Sequence, residues 1–76
     1  MKILLFAHLR DELGTSSLTL DLAPLTSAEL LAELKQRYPL LTLESVMVAV
    51  NEEFAGPATV IGADDTVALL PPVSGG

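Results

Sequence analysis

Only one segment of this chain carries the punctuation of a helix, and it lies among runs that read as strand. Thr26 and Glu29 stand three residues apart, so each side chain can satisfy an amide that the first helical turn leaves without a partner. Leu25 before the cap and Leu30 after it have the spacing of a hydrophobic staple. At about 100° per residue, Leu30, Leu31, Leu34 and Tyr38 fall within one arc, with Glu29 and Glu33 off it. Glu33 precedes Arg37 by four, the favoured order for an ion pair worth roughly 0.3 kcal/mol. Pro39 restricts Tyr38 and lacks an amide hydrogen, so it stops the helix. The spacing predicts a helix over 27–38.

Around it the pattern changes to strand. Residues 2–9 (KILLFAHL) are apolar on both faces and read as a central strand. Arg10 to Thr15, with Gly14, reads as a turn or loop. In residues 17–22 Leu18, Leu20 and Leu22 alternate with Ser17, Thr19 and Asp21, as in a half-buried strand antiparallel to the first. After an irregular stretch, residues 46–51 (VMVAVN) read as strand. Glu52 and Glu53 are expected to turn the chain, with Phe54 on or beside that turn. Residues 58–61 offer a short strand, 62–65 a turn, and 66–72 a last strand ended by two prolines. The order β-β-α-β-(β)-β, with a right-handed crossover through one helix, predicts a β-grasp-like α+β domain. Its mixed sheet would have four to five strands packed on one main helix. With 76 residues there is room for one core; the domain is expected over 1–72, with a flexible tail at 73–76.

A single helix covers one face of such a sheet. Residues 3–7, 46–50 and 67–70 nevertheless offer apolar side chains to both faces. Either the loops at 40–45 and 52–61 fold over the second face, or part of it is a partner interface.

Composition removes several functions. There is no cysteine, hence no disulfide, thiolate metal site or thiol nucleophile. One histidine, His8, is too little for an all-protein zinc site or a Ser-His-Asp triad. A formal net charge of −6 argues against nucleic acid or an anionic membrane as partner and for something basic. The run Ile3-Leu4-Leu5-Phe6-Ala7 falls far short of the ~20 residues of a membrane span and breaks too early for a secretory signal. A cytoplasmic location is expected.

The C-terminal end is chemically distinctive. The last eleven residues, TVALLPPVSGG, contain no charged side chain. Pro71 and Pro72 stiffen the exit from the strand, and the stretch from Pro71 to Gly76 reaches at most about 20 Å when extended. Gly75 and Gly76, without Cβ atoms, can thread a narrow channel and leave the terminal carboxylate open to attack. That carboxylate, with a pKa near ~3.5, is ionised and a poor acyl donor until an ATP-dependent enzyme activates it. Once adenylated it can take up sulfur or be captured by an amine. No catalytic side chain is offered for any of these steps, so the chain would carry a reactive terminus rather than act on one.

Over nearly its whole length the sequence resembles the small-subunit family of molybdopterin synthase, the sulfur carriers of molybdenum-cofactor biosynthesis. The resemblance runs through LLFAHLRDELGTSS, VAVN at 48–51 and, most specifically, DDTVALLPPVSGG. It implies a ubiquitin-like β-grasp fold. It implies that Gly76 is adenylated by a ubiquitin-activating-type adenylyltransferase, converted to a thiocarboxylate with the help of a sulfur donor, and inserted into the large synthase subunit. There it would donate sulfur to cyclic pyranopterin monophosphate. Gly75 and Ser74 would thread the channel, and Phe54, Leu70 and Arg10 are the candidate docking residues. A heterotetramer of two small and two large subunits is implied, with no bound cofactor, ATP consumed by the activating enzyme, and the active site on the large subunit. One departure is the turn before the last strand, where Ala63-Asp64-Asp65 stands in place of the family's Asp-Gly-Asp. Asp64 would tolerate a positive φ there at modest cost.

The same tail chemistry serves a sulfur carrier of another pathway, such as thiamine synthesis, or a ubiquitin-like modifier joined to lysines. A plain interaction module with an inert tail is the remaining reading. His8 reads as a packed or surface histidine. Asp64 and Asp65 read as turn residues, since further ligands at metal-binding spacing are missing.

Overall fold

The structure is a computed structural model that describes residues 1–22 and 24–71. Among these residues seven strands and two helices follow in the order β1 (Lys2–Leu5), α1 (His8–Leu13), β2 (Ser17–Thr19), β3 (Leu25–Thr26), α2 (Ser27–Arg37), β4 (Met47–Val50), β5 (Glu53–Ala55), β6 (Val60–Ile61) and β7 (Thr66–Leu70). Five of the strands form one mixed sheet in the order β2-β1-β7-β4-β5, and β3 pairs with β6 in a small second sheet. The central pair, β1 and β7, is parallel; every other pairing is antiparallel. The expected mixed β-grasp sheet is therefore present. Pro72 and the expected tail at 73–76, with Ser74, Gly75 and Gly76, lie outside the described residues.

The main helix forms for the reasons legible in the sequence. The Thr26 side chain accepts from the Glu29 amide at 3.2 Å, and the Thr26 amide donates to the Glu29 carboxylate at 2.8 Å, which completes the capping box. At the other end Lys35 Nζ donates to the carbonyls of Pro39 and Leu41, a cation placed where the helix dipole favours one. Leu30 and Leu34 are fully buried. They pack with Ile3, Leu5, Val67, Leu69 and Val48, the inward-facing residues of the three central strands. Glu33 and Arg37 form the expected surface pair at 2.8 Å.

The first expected strand is shorter than 2–9. It ends at Leu5, and the residues read as its tail and as a loop form α1 instead. Leu9 is fully buried and Leu13 packs against the core. That four-residue spacing is the helical signal, but six residues are too few for the period to stand out. Gly14 closes α1 in the left-handed region (φ 77°), its amide bonded to the Arg10 carbonyl at 2.8 Å. Ala7, which joins β1 to α1, sits at φ 52°, ψ −128°, a conformation suited to glycine. Ala7→Gly is accordingly expected to raise stability by about 0.5–1 kcal/mol, a net of relieved strain and added unfolded-state freedom. A thermal melt of the variant beside the parent checks this.

The β4–β5 connection also differs from expectation. The turn is made by Asn51 and Glu52, both with positive φ (50° and 72°), rather than by Glu52 and Glu53. Two left-handed central residues make a two-residue hairpin whose twist matches the flanking strands. Glu53 and Phe54 therefore belong to strand β5, with Phe54 opposite Ala49. In the next turn Asp64 is not among the residues with positive φ, so its departure from the family pattern carries no backbone strain.

Neither loop expected as a cover closes over the second sheet face, to which 52–61 contributes Glu52 and Phe54. Leu41 and Leu43 pack into the core beneath the helix, and Ile61 of β6 is fully buried there. Ser27 donates to the Gly56 carbonyl at 2.8 Å, tying the second loop to the start of α2. One face of the sheet is left open.

Candidate functional site

Strand parity decides what that open face displays. On β1 and β7 the inward residues are Ile3, Leu5, Val67 and Leu69, so Leu4, Ala68 and Leu70 point the other way. Register then lines them up across the sheet. Ser17, Leu4, Ala68, Ala49 and Phe54 form one transverse row through successive pairings, and Leu70 faces Met47 in the next. Phe54 is 74% exposed and Met47 38%; Phe6, next in the alternation past β1, is 42% exposed. Large apolar groups left in water on one surface are the mark of an interaction face.

Phe54 and Leu70, two of the expected docking residues, thus share this face. Arg10 does not. It lies exposed on α1, beyond the C-terminal end of β1, at the same end of the sheet where β7 finishes. Leu70, Met47 and Phe6 are at that end too, so the apolar surface runs up to the point where the chain leaves β7. Sequence reading missed Leu4, Ala68, Met47 and Phe6. Their apolar character was visible, but their side of the sheet follows from register. Ser74, Gly75 and Gly76 lie outside the described residues.

A hollow of about 380 Å³ lies on the open face, with Leu4 and Ala68 in its lining together with Asn51, Glu52 and Thr66. Asn51 braces it. Its Nδ2 donates to Asp65 Oδ1 at 3.0 Å, its Oδ1 accepts from the Thr66 amide at 3.0 Å, and its own amide donates to the Thr66 carbonyl at 2.8 Å. The other Asp65 oxygen accepts from the Gly62 amide at 2.8 Å. Asp65 is thus the structural link of its turn, as expected, and no group of three or more potential metal ligands comes together among the described residues.

His8 is away from this face. Its Nε2 lies 3.3 Å from the Thr42 carbonyl oxygen, and the neighbouring Glu12 carboxylate accepts from the Thr42 hydroxyl at 2.7 Å and amide at 2.8 Å. These contacts pin α1 to the loop after α2.

Three carboxylates are held below their usual pKa by hydrogen bonds to the charged form: Glu12 by the hydroxyl and amide of Thr42, Glu29 by the amide and hydroxyl of Thr26, Asp65 by the Gly62 amide and the Asn51 side chain. A carboxylate whose pKa falls on folding stabilises the native state above its unfolded pKa, and that stabilisation is lost as pH drops through the folded value. Stability from these groups should therefore be level from neutral pH to about pH 5 and decline below about pH 4. Glu29 is exposed and Glu12 and Asp65 are only half-buried, so solvent screens the effect. Urea titrations at stepped pH check it, and Glu12→Gln should make the decline shallower.

Among the described residues no helix is long and apolar enough to cross a membrane. The architecture is the ubiquitin-like β-grasp. It superposes on the crystal structure of SAMP1 from Haloferax volcanii with a TM-score of 0.80 and 29% identity, covering 99% of this chain and 97% of that one. In sequence the chain is 43% identical over 82 residues to the molybdopterin synthase sulfur carrier subunit of Dictyostelium discoideum, covering 99% of this chain and 94% of that protein. It is 35% identical over 79 residues to the subunit of the same name from Arabidopsis thaliana, covering 100% and 82%. The family model described as the ThiS family matches residues 3–76. Because that match runs from within β1 through every later strand of the main sheet and continues to the last glycine, the chain belongs to the ThiS family.

Proposed function

We propose that this chain is the sulfur-carrier small subunit of molybdopterin synthase. The observation that carries the reading is full-length similarity to two proteins of that name, at 43% and 35% identity. The Gly75-Gly76 ending supplies the chemistry. An adenylyltransferase of the ubiquitin-activating type joins the Gly76 carboxylate to AMP, releasing pyrophosphate from ATP. A sulfide equivalent from a sulfur-donor system then displaces AMP and leaves a thiocarboxylate. In the large synthase subunit the sulfur passes to cyclic pyranopterin monophosphate, and water returns Gly76 to a carboxylate. The chain itself is not the catalyst: it brings sulfur on Gly76, with Gly75 and Ser74 slender enough to follow it into the large subunit. No cofactor is bound, and ATP is consumed by the activating enzyme.

Docking falls to the open sheet face. Phe54 and Leu70 supply apolar contact, and Arg10 lies at the end of the sheet from which the tail departs. The large subunit covers this face in a heterotetramer of two small and two large subunits in the cytoplasm. The test is the intact mass after incubation with ATP, the cognate adenylyltransferase and a sulfide source. A gain equal to replacing one oxygen by sulfur, localised to Gly76, is the expected result. No gain, with an enzyme shown to be active on another carrier, would overturn the reading.

A second reading follows from the structural likeness to SAMP1, named elsewhere as small archaeal modifier protein 1. A modifier would form Gly76–lysine adducts visible on immunoblots. A carrier serving thiamine synthesis would show the same thiocarboxylate with a different acceptor. The names of the two full-length relatives favour the molybdopterin pathway.

A further inference from the structure

The hollow on the open face combines an apolar floor with one free carboxylate at its wall. Leu4 and Ala68 face each other across the parallel pair β1·β7 and form the floor. Asn51, Glu52 and Thr66 complete the lining. Asn51 uses both ends of its amide on Asp65 and Thr66, so the turn that carries Glu52 is bolted to the start of β7. Glu52 is exposed and enters no ion pair; the pair between Glu33 and Arg37 is the only one among the described residues. Among the described residues the cation on this face is Lys2, the register partner of Thr66 two positions before Leu4; it is not part of the lining.

An apolar floor with a carboxylate at its wall suits a long cationic side chain, whose aliphatic stem and charged head ask for those two surfaces, and about 380 Å³ gives it ample room. We infer that this hollow seats a single arginine or lysine of the large synthase subunit. The aliphatic stem lies on Leu4 and Ala68, and the charged head pairs with Glu52. This inference rests on the proposal that the open face docks that subunit. Three features favour a cation over a purely apolar group. The wall is acidic, the whole chain carries a net charge of −6, and Asp64 lies exposed on the neighbouring turn. Because the turn is already fixed, little side-chain and backbone order has to be gained on binding.

The test is calorimetric titration of the full chain with the large synthase subunit of the same organism, at low and at high salt. The parent, Glu52→Gln, Glu52→Lys and Phe54→Asp are compared, with thermal melts of each. Glu52 is exposed on a turn, so the melts of its two variants should match the parent. Glu52→Gln is expected to weaken binding about tenfold and to flatten its salt dependence, and Glu52→Lys to weaken it further by like-charge repulsion. Phe54→Asp should abolish binding through the shared face. If Phe54→Asp abolishes binding while both Glu52 variants stay within about twofold of the parent, the seat is wrong and the docking face stands. If the parent does not bind, or Phe54→Asp binds as the parent does, the docking face itself falls and takes the seat with it.

Discussion

Removing Gly75 and Gly76 is expected to bring thiocarboxylate formation and sulfur transfer to background while leaving the melting transition where it was. The chemistry resides in the terminal carboxylate and in the absence of side chains beside it. A shortened chain would end at Ser74, whose side chain burdens the position that must enter the activating enzyme. The fold draws on other residues. Every described member of the core lies between Met1 and Leu69, and β7, the last strand, ends at Leu70. Intact mass after the activation reaction reads the first effect, and a thermal melt reads the second. A truncated chain that still supports molybdopterin formation would remove the carrier reading and favour an interaction module. A truncated chain that fails to fold would show that the tail contributes to the domain, and Gly76→Ala would then separate chemistry from stability.

The second large effect is structural. Leu69→Ala is expected to cost about 2–5 kcal/mol, the range for emptying a fully buried leucine site. Leu69 lies on the strand flanked on both sides, opposite Leu5 of β1 and Val48 of β4, and it packs into the same core as Leu30 and Leu34 of the helix. Strands on either side leave the cavity little scope to collapse. At roughly 0.05–0.15 kcal/mol per residue a domain this small holds only several kcal/mol in all, so the variant should be partly unfolded at room temperature. Leu70→Ala, one position on, should cost well under half as much, because Leu70 is half-buried on the open face and no cavity forms. Its effect should appear in docking to the large subunit. Urea unfolding of the two variants side by side decides the matter. Equal costs would mean that the open face is packed after all.

These two leucines also show where the reading of residues stops. Both are apolar and adjacent in the run TVALLPP, and composition treats them alike. Alternation says that they face opposite sides but leaves open which side meets the helix. That is settled by the pairing of β7 with β1 and β4, which places Leu69 between Leu5 and Val48 and Leu70 beside Met47. Phe54 is a similar case. Its turn was expected one residue too late, since Asn51 and Glu52 both take the left-handed conformation. A glutamate there gives no signal of the kind that glycine would. The hollow beside it joins residues from β1, β7 and the β4–β5 turn, which are as many as 64 positions apart between Leu4 and Ala68.

Local chemistry alone determined α2 to within one residue of its end at Arg37, the existence of most of the strands, and the nature of the tail. Each depends on side chains within a few positions of one another: a capping box, a proline stop, a period of two, a pair of glycines. The strand expected over 17–22 stops at Thr19, although Leu18, Leu20 and Leu22 keep the expected inward side. Tertiary structure decided that residues 8–13 coil into α1 once Leu9 finds the core. It also decided that the loops pack on the helix side, and that Leu4, Ala68, Leu70 and Phe54 share one exposed face. The reason is physical. A strand presents two faces of opposite parity, and only its neighbours, brought in from distant parts of the chain, determine which of them is removed from water.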